Sequence, residues 1–323
     1  MNSSNSTSSI LSQVWPYLIY ILEGLTISGG NLLIVVLIAR FEALRQSKTF
    51  IVLLGLSLAD AFYMLGYFAA GLHRAVAITF FGRTFDVLVP LTDCLYLPHV
   101  WIWAFCEHIS ALMLVAISFD RLICVWFPLL YFGWQARYAF CLVALAFTLP
   151  FLTGLAGMFI LLPRHAELSL SALCTSVGIA KLVGPVYSLY FTFGAPCFAC
   201  LSVVLYVIVW VGYKRQQAKV VPFGQPENEE VESELKFTQL LGLCCICTVC
   251  LYVIPLLAGY SVLWMGGPSI LAVIFFCLAN LNPLANVFLY PMRLTEIRLG
   301  FKALFRCSHM PIDIRQWKAN SAS

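Results

Sequence analysis

Apolar stretches of about 20 residues recur along this chain, near Val14–Ala39, Phe50–Leu72, Leu95–Val125, Tyr138–Leu162, Gly184–Val211, Phe237–Leu263 and Ile270–Tyr290. Each is long enough to cross the roughly 30 Å hydrocarbon core of a bilayer as a helix. In lipid no water satisfies loose backbone groups, so helices are required, and Pro150, Pro196, Pro255 and Pro283 read as kinks covered by neighbouring helices. A soluble fold is excluded by composition: 61% of the 323 residues are hydrophobic and 11% charged, against about a quarter charged in soluble domains. The expected fold is all-α, a seven-transmembrane helix bundle.

After the last span, Leu299, Phe301 and Phe305 alternate with Arg298, Lys302 and Arg306, as in a short amphipathic eighth helix on a membrane surface. Cys307 just beyond it is a lipidation candidate. The expected organisation is a tail over 1–13, a receptor-sized bundle over 14–293, and the surface helix with a tail over 294–323. Met1 to Ser9 carry no basic charge, so the first apolar segment is expected to be retained and not cleaved as a signal peptide.

Charge sets the orientation. Placing the N-terminus outside leaves Arg74, Arg83, Arg164 and Lys181 outside and the other fifteen of the nineteen Lys and Arg inside, a strong positive-inside bias. Asn2 and Asn5 head acceptor tripeptides for N-linked sugar in the tail that this orientation exposes. Of thirteen cysteines, ten lie in or at the ends of spans and Cys307 lies in the inner tail, leaving Cys94 and Cys174 as the pair placed for an oxidising compartment. A disulfide between them is expected.

Polar groups within spans are costly and ask for a reason. Asn31, Asp60, Ser110, Asn282 and Asn286 are such groups, and Asp120-Arg121 ends the third span. In their order, from Gly30-Asn31 through the Leu-rich approach to Asp60, Asp120-Arg121 and Asn286…Tyr290, the whole chain resembles the rhodopsin-like family of G-protein-coupled receptors. That resemblance implies a receptor at the plasma membrane, N-terminus outside, that answers an extracellular small molecule or peptide and acts on a heterotrimeric G protein. It implies a polar pocket of Asp60, Ser110, Asn282, Asn286 and neighbouring Asn31 able to hold an allosteric sodium ion. Oxygen ligands suit a hard cation, and a buried carboxylate must find a cation, a donor or a proton; a hydrogen-bond network that only joins helices is the other reading. It also implies a switch in which Arg121 is held by Asp120 and by an acid at the start of the sixth span, Glu234 first and Glu232 second, with Tyr290 completing the coupling end. A simple positive anchor at Arg121 would need no acidic neighbour.

Three departures mark this chain. The Asn-Pro-x-x-Tyr pattern appears as Asn286-Val287-Phe288-Leu289-Tyr290 with the proline displaced to Pro283, so the kink belongs one turn earlier. The Cys-Trp-x-Pro of the sixth span is Tyr252-Val253-Ile254-Pro255, and the fourth span has Thr148 near the usual tryptophan. Leu44-Arg45-x-x-Lys48, Phe127-Pro128 and the eroded sixth-span motif look like nematode serpentine chemoreceptors of the rhodopsin-like kind; a neuropeptide receptor shares much of this pattern.

At about 100° per residue, Trp103, Glu107, Ser110, Leu114 and Ile117 share a face with Arg121. That stripe makes Trp103 and Glu107, with Tyr260, the ligand candidates, and points His108 the opposite way as a packing residue. Trp103 stands where amine receptors of the family carry aspartate, which argues against an amine at that contact. Glu107 is either a partner for a cationic ligand or a neutral carboxylic acid bonded to another helix; Glu23 in the first span poses the same question. Trp101, Tyr187, Tyr190 and Trp264 are ligand walls or an interfacial belt.

Other classes fit less well. A retinal photosensor needs a lysine in the seventh span, and Ile270–Tyr290 has none. A transporter or channel, the runner-up of a different class, should show paired repeats and interrupted helices, and the acids and histidines form no enzyme motif such as His-Glu-x-x-His. Expected partners are membrane lipid, an extracellular ligand and a G protein, with no nucleic acid, no catalytic residues, and no cofactor or metal beyond sodium.

Overall fold

The structure, a computed structural model, describes residues 3–83, 86–164, 168–220, 238, 240–265 and 269–305. Among them seven helices are long and apolar enough to cross a membrane: Gln13–Arg40, Lys48–Phe81, Pro98–Trp126, Ala136–Leu161, Pro185–Arg215, Leu240–Trp264 and Ile270–Arg293. The protein is an all-helical seven-span bundle with a short amphipathic helix, Thr295–Phe305, after the last span. The first span shows why the surface must be lipid. Ile27, Ile34, Leu37 and Ile38 are fully buried on one stripe, while Leu22, Leu25, Leu32, Leu33 and Val36 lie exposed on the other. An apolar residue on both faces of a helix is stable only where the outer face also meets an apolar medium.

The first helix begins at Ser3 and runs unbroken into its span, so much of the expected 1–13 tail is helical. The second span continues nine residues past the expected Leu72 end. His73 and Arg74 do not stop it because Arg74 folds against Tyr17, Tyr20 and Trp103 at 5.6, 6.0 and 5.3 Å. The stop comes at Gly82, whose φ of 59° turns its own N–H and that of Arg83 back onto Ile78 and Ala77 carbonyls.

One small element was not expected. Strands β1 (Leu88–Pro90) and β2 (Ser169–Ser171) pair antiparallel with Val89 opposite Leu170. The bond between Cys94 and Cys174 anchors this strand pair to the start of the third span. That end of the bundle is called the disulfide end below, and the opposite one the Arg121 end.

Three spans are locally irregular, each for a visible reason. The third is interrupted between helices Pro98–Cys106 and Ile109–Trp126, at Glu107 and His108. The uninterrupted stripe expected there is thus two segments, yet both residues keep right-handed helical angles, so the facing of Trp103, Glu107 and Arg121 survives. The sixth carries a π-helical turn over Thr248–Val253, in which the Ile254 N–H reaches five residues back to Val249. Pro255 follows directly and has no N–H of its own. The seventh breaks at Asn280, between Ser269–Ala279 and Leu281–Arg293, because the Pro283 ring conflicts with the carbonyl one turn before it.

Candidate functional site

At the disulfide end the spans separate around a cavity of about 480 Å³. Its walls are aromatic: Tyr17 and Tyr20 from the first span, Tyr63 and Tyr67 from the second, Trp103 from the third, Tyr260 and Trp264 from the sixth, and Phe276 from the seventh. These rings brace one another edge to face, with Tyr67 4.9 Å from Tyr20 and 5.4 Å from Trp103, and Tyr260 5.4 Å from Phe276. Trp103 fits because residue 66 is glycine; a Cβ there would stand 2.9 Å from the indole nitrogen. Glu107 lines the cavity one turn deeper, buried, with the Tyr63 hydroxyl near its carboxyl; that hydroxyl also lies 3.3 Å from that of Tyr67. Arg74 lines it nearer the mouth with Lys181, Ser169, Ser171, Thr175 and Ser176.

The structure thus brings Trp103, Glu107 and Tyr260 into one cavity and adds Arg74, which charge counting had placed in an outer loop. The missed signal was spacing: Tyr63, Tyr67 and Arg74 fall at positions i, i+4 and i+11 of one helix face. Trp264 lines the cavity, but Trp101, Tyr187 and Tyr190 do not. Trp101 donates to the Leu95 carbonyl at 2.7 Å, and Tyr190 stacks on His108 at 4.3 Å. A ring nitrogen of His108 also meets the Tyr190 carbonyl at 3.2 Å, so His108 packs the third span on the fifth. Glu23 accepts from Asn280 Nδ2 at 3.0 Å, joining the first span to the break in the seventh.

Beneath the cavity lies a buried polar layer. Ser110 and Asn286 approach the Asp60 carboxyl, and Cys244 and Tyr290 lie within range of its charge. Tyr252 lies within electrostatic range of both Asp60 and Glu107. Asp60 Oδ2, Ser110 Oγ, Asn286 Oδ1, Asn31 Oδ1 and the Tyr290 hydroxyl are all buried without a hydrogen-bond partner. Unpartnered oxygens from the first, second, third and seventh spans are what a hard cation requires, and on that observation the residues fit a sodium ion. Asn282 instead accepts from Thr248 Oγ1 at 3.4 Å, tying the seventh span to the π turn of the sixth.

At the far end of the third span the arrangement is closed. Arg121 is fully buried, as are Asp120 and Tyr131. Its guanidinium donates twice to Asp120 Oδ2, at 2.9 and 2.5 Å, and to the hydroxyls of Tyr131 at 2.7 Å and Thr49 at 3.2 Å. Tyr131 belongs to a short helix, Pro128–Gly133, following the third span. Lys48 holds that helix by donating to the carbonyls of Tyr131 at 2.6 Å and Trp134 at 3.2 Å, with its ammonium 3.9 Å from the Tyr131 ring centre. Lys48, Thr49 and Tyr131 were invisible as partners in the sequence, since Tyr131 lies in an apolar run with no spacing that aims it at Arg121.

Glu234, Glu232, Cys307 and Asn2 lie outside the described residues, as does the side chain of Asn5. No family model matches the chain, and no curated protein matches it.

Proposed function

We propose that this chain is a receptor of the rhodopsin-like G-protein-coupled kind, in which a ligand in the aromatic cavity shifts the clamp on Arg121. One observation carries the reading. A single span, Pro98–Trp126, lines a ligand-sized cavity at one end with Trp103 and Glu107 and presents a fully buried arginine at the other. A buried guanidinium satisfied by a carboxylate and two hydroxyls is a two-state element, since release of Tyr131 would leave it seeking an acceptor outside the bundle. The orientation with the disulfide end outside, at the plasma membrane, rests on the distribution of Lys and Arg.

Tyr252 supports a path between the ends, as it lies within electrostatic range of both the cavity acid and Asp60 and belongs to the π turn that interrupts the sixth span. Val253 stands at the position of the missing tryptophan, and Tyr252 beside it is the larger side chain: a displacement of Tyr252 would act on a helix already irregular there. A sodium ion, if bound by Asp60, Ser110, Asn31 and Asn286, would supply positive charge that joins four spans and favours the closed state. The family, the G protein and the sodium ion are all parts of this proposal.

The test is expression of the full chain in cells carrying a panel of G-protein reporters, exposed to odorant and peptide libraries, beside Arg121→Ala. A ligand response lost in the variant supports the reading. A response of undiminished size in Arg121→Ala removes Arg121 from the coupling role, and movement of a solute through vesicles containing the chain would favour a transporter.

A further inference from the structure

We infer that the cavity takes a bipolar ligand, with an acidic group at one end and an amine at the other, such as a short peptide with free termini. The inference deepens the receptor reading and rests on it for its biological meaning.

The cavity wall holds two buried groups of opposite charge type that do not pair with each other. Arg74 is only 6% exposed. Its Nε donates to the Leu173 carbonyl at 3.0 Å, and its guanidinium leans on aromatic rings. Among the described residues no carboxylate pairs with it and its two Nη groups have no hydrogen-bond acceptor. Lys181 stands at the same mouth, so this end of the cavity is a cationic, aromatic-backed seat for a carboxylate. At the deep end Glu107 is 7% exposed, and among the described residues Tyr63 alone approaches its carboxyl as a side-chain donor, although a carboxyl group accepts several bonds. Four phenols, of Tyr63, Tyr67, Tyr252 and Tyr260, lie within range of its charge. An amine fits there whichever partner carries the proton, since the ion pair and the neutral pair share one hydrogen bond and aromatic faces favour the cation.

An isolated charge is costly to bury, and one ligand that reaches both groups would offset both costs. Distance restricts that ligand. Arg74 and Tyr63 are eleven residues apart on one helix, about 16 Å along its axis, and the arginine side chain reaches some way inward. An extended chain advances about 3.3–3.6 Å per residue, so three or four residues span the gap and fit the cavity volume.

The test uses the full chain in lipid nanodiscs, with thermal unfolding midpoint against peptide concentration as the readout. The probes are a pool of tetrapeptides of alanine, leucine and phenylalanine with free ends, the same pool N-acetylated, and the same pool C-amidated. In the wild type the free-ended pool should bind at least tenfold more tightly than either capped pool. Arg74→Gln should erase the difference made by amidation and keep that made by acetylation; Arg74→Lys should restore it in part. Glu107→Gln should do the reverse. Equal binding of the three pools, or no shift with any of them, overturns the inference, and the wild-type comparison decides it even if a variant fails to fold. End-group preference without any G-protein response supports this inference while refuting the receptor reading; a G-protein response without end-group preference does the opposite.

Discussion

The two ends of the third span solve the problem of a buried charge in opposite ways. Around Arg121 the guanidinium meets a carboxylate oxygen and two hydroxyls, and a lysine braces the helix that delivers one of them, although the second oxygen of Asp120 stays without a hydrogen-bond partner. Around Trp103 there is empty volume, and Arg74 and Glu107 are each left short of partners in the protein. Closed and satisfied describes an element that rests until displaced. Open and unsatisfied describes one that completes itself with something from outside. Between them lies a layer with oxygens to spare, with Tyr252 in electrostatic range of both its Asp60 and the cavity's Glu107.

The largest effect expected of a change at the open end comes from the bond that shapes its mouth. Cys94→Ser opens a loop of 80 residues, and the loop-entropy argument puts the loss at about 4 kcal/mol. Thermal unfolding of the purified chain should show it, with ligand binding lost, and an unchanged midpoint would mean that the strand pair is held by packing alone. Next comes Gly66→Val, whose added atoms meet the Trp103 indole. Overpacking of this kind costs about 1–3 kcal/mol, and filling the cavity should reduce ligand affinity by well over tenfold while leaving basal reporter activity unchanged. A change in basal activity would show that the two ends are not separable.

The closed end should respond in the reverse sense. Tyr131→Phe removes a hydroxyl from Arg121, and a hydrogen bond to a charged group contributes about 1.5–3 kcal/mol. Reporter activity without ligand should rise roughly tenfold or more with ligand affinity preserved or raised, and a fall would make Tyr131 part of the active state instead. The smallest change is Glu23→Ala, which strips Asn280 of its acceptor across the bundle. It should lower the unfolding free energy by about 1 kcal/mol, seen as a lower unfolding midpoint, whereas Glu23→Gln, which keeps an acceptor oxygen, should restore it.

The open end was partly legible in the sequence and the closed end only in its central pair. Trp103, Glu107 and Arg121 share a face by helical spacing, and that spacing survived the break at Glu107-His108 because both residues stay in helical geometry. Arg74 was misread because a span boundary was set at the first charged residues, and hydropathy cannot register a guanidinium seated on three rings. Tyr131 and Lys48 were missed since their contact spans 83 positions of sequence, beyond the reach of any local pattern.

The sequence by itself therefore determined the medium, the helical class, the seven spans and the disulfide pair. The first three follow from composition and local period, since a run of apolar residues in lipid has helix as its stable form whatever its neighbours do. The disulfide pair follows from the compartment that the charge bias assigns to Cys94 and Cys174. Only the tertiary structure decided that Asn282 accepts a hydrogen bond from Thr248, that Arg74 faces the cavity, and that Tyr131 closes over Arg121. Those outcomes depend on which faces of different spans meet, and side chains that touch across a bundle need share no spacing along the chain.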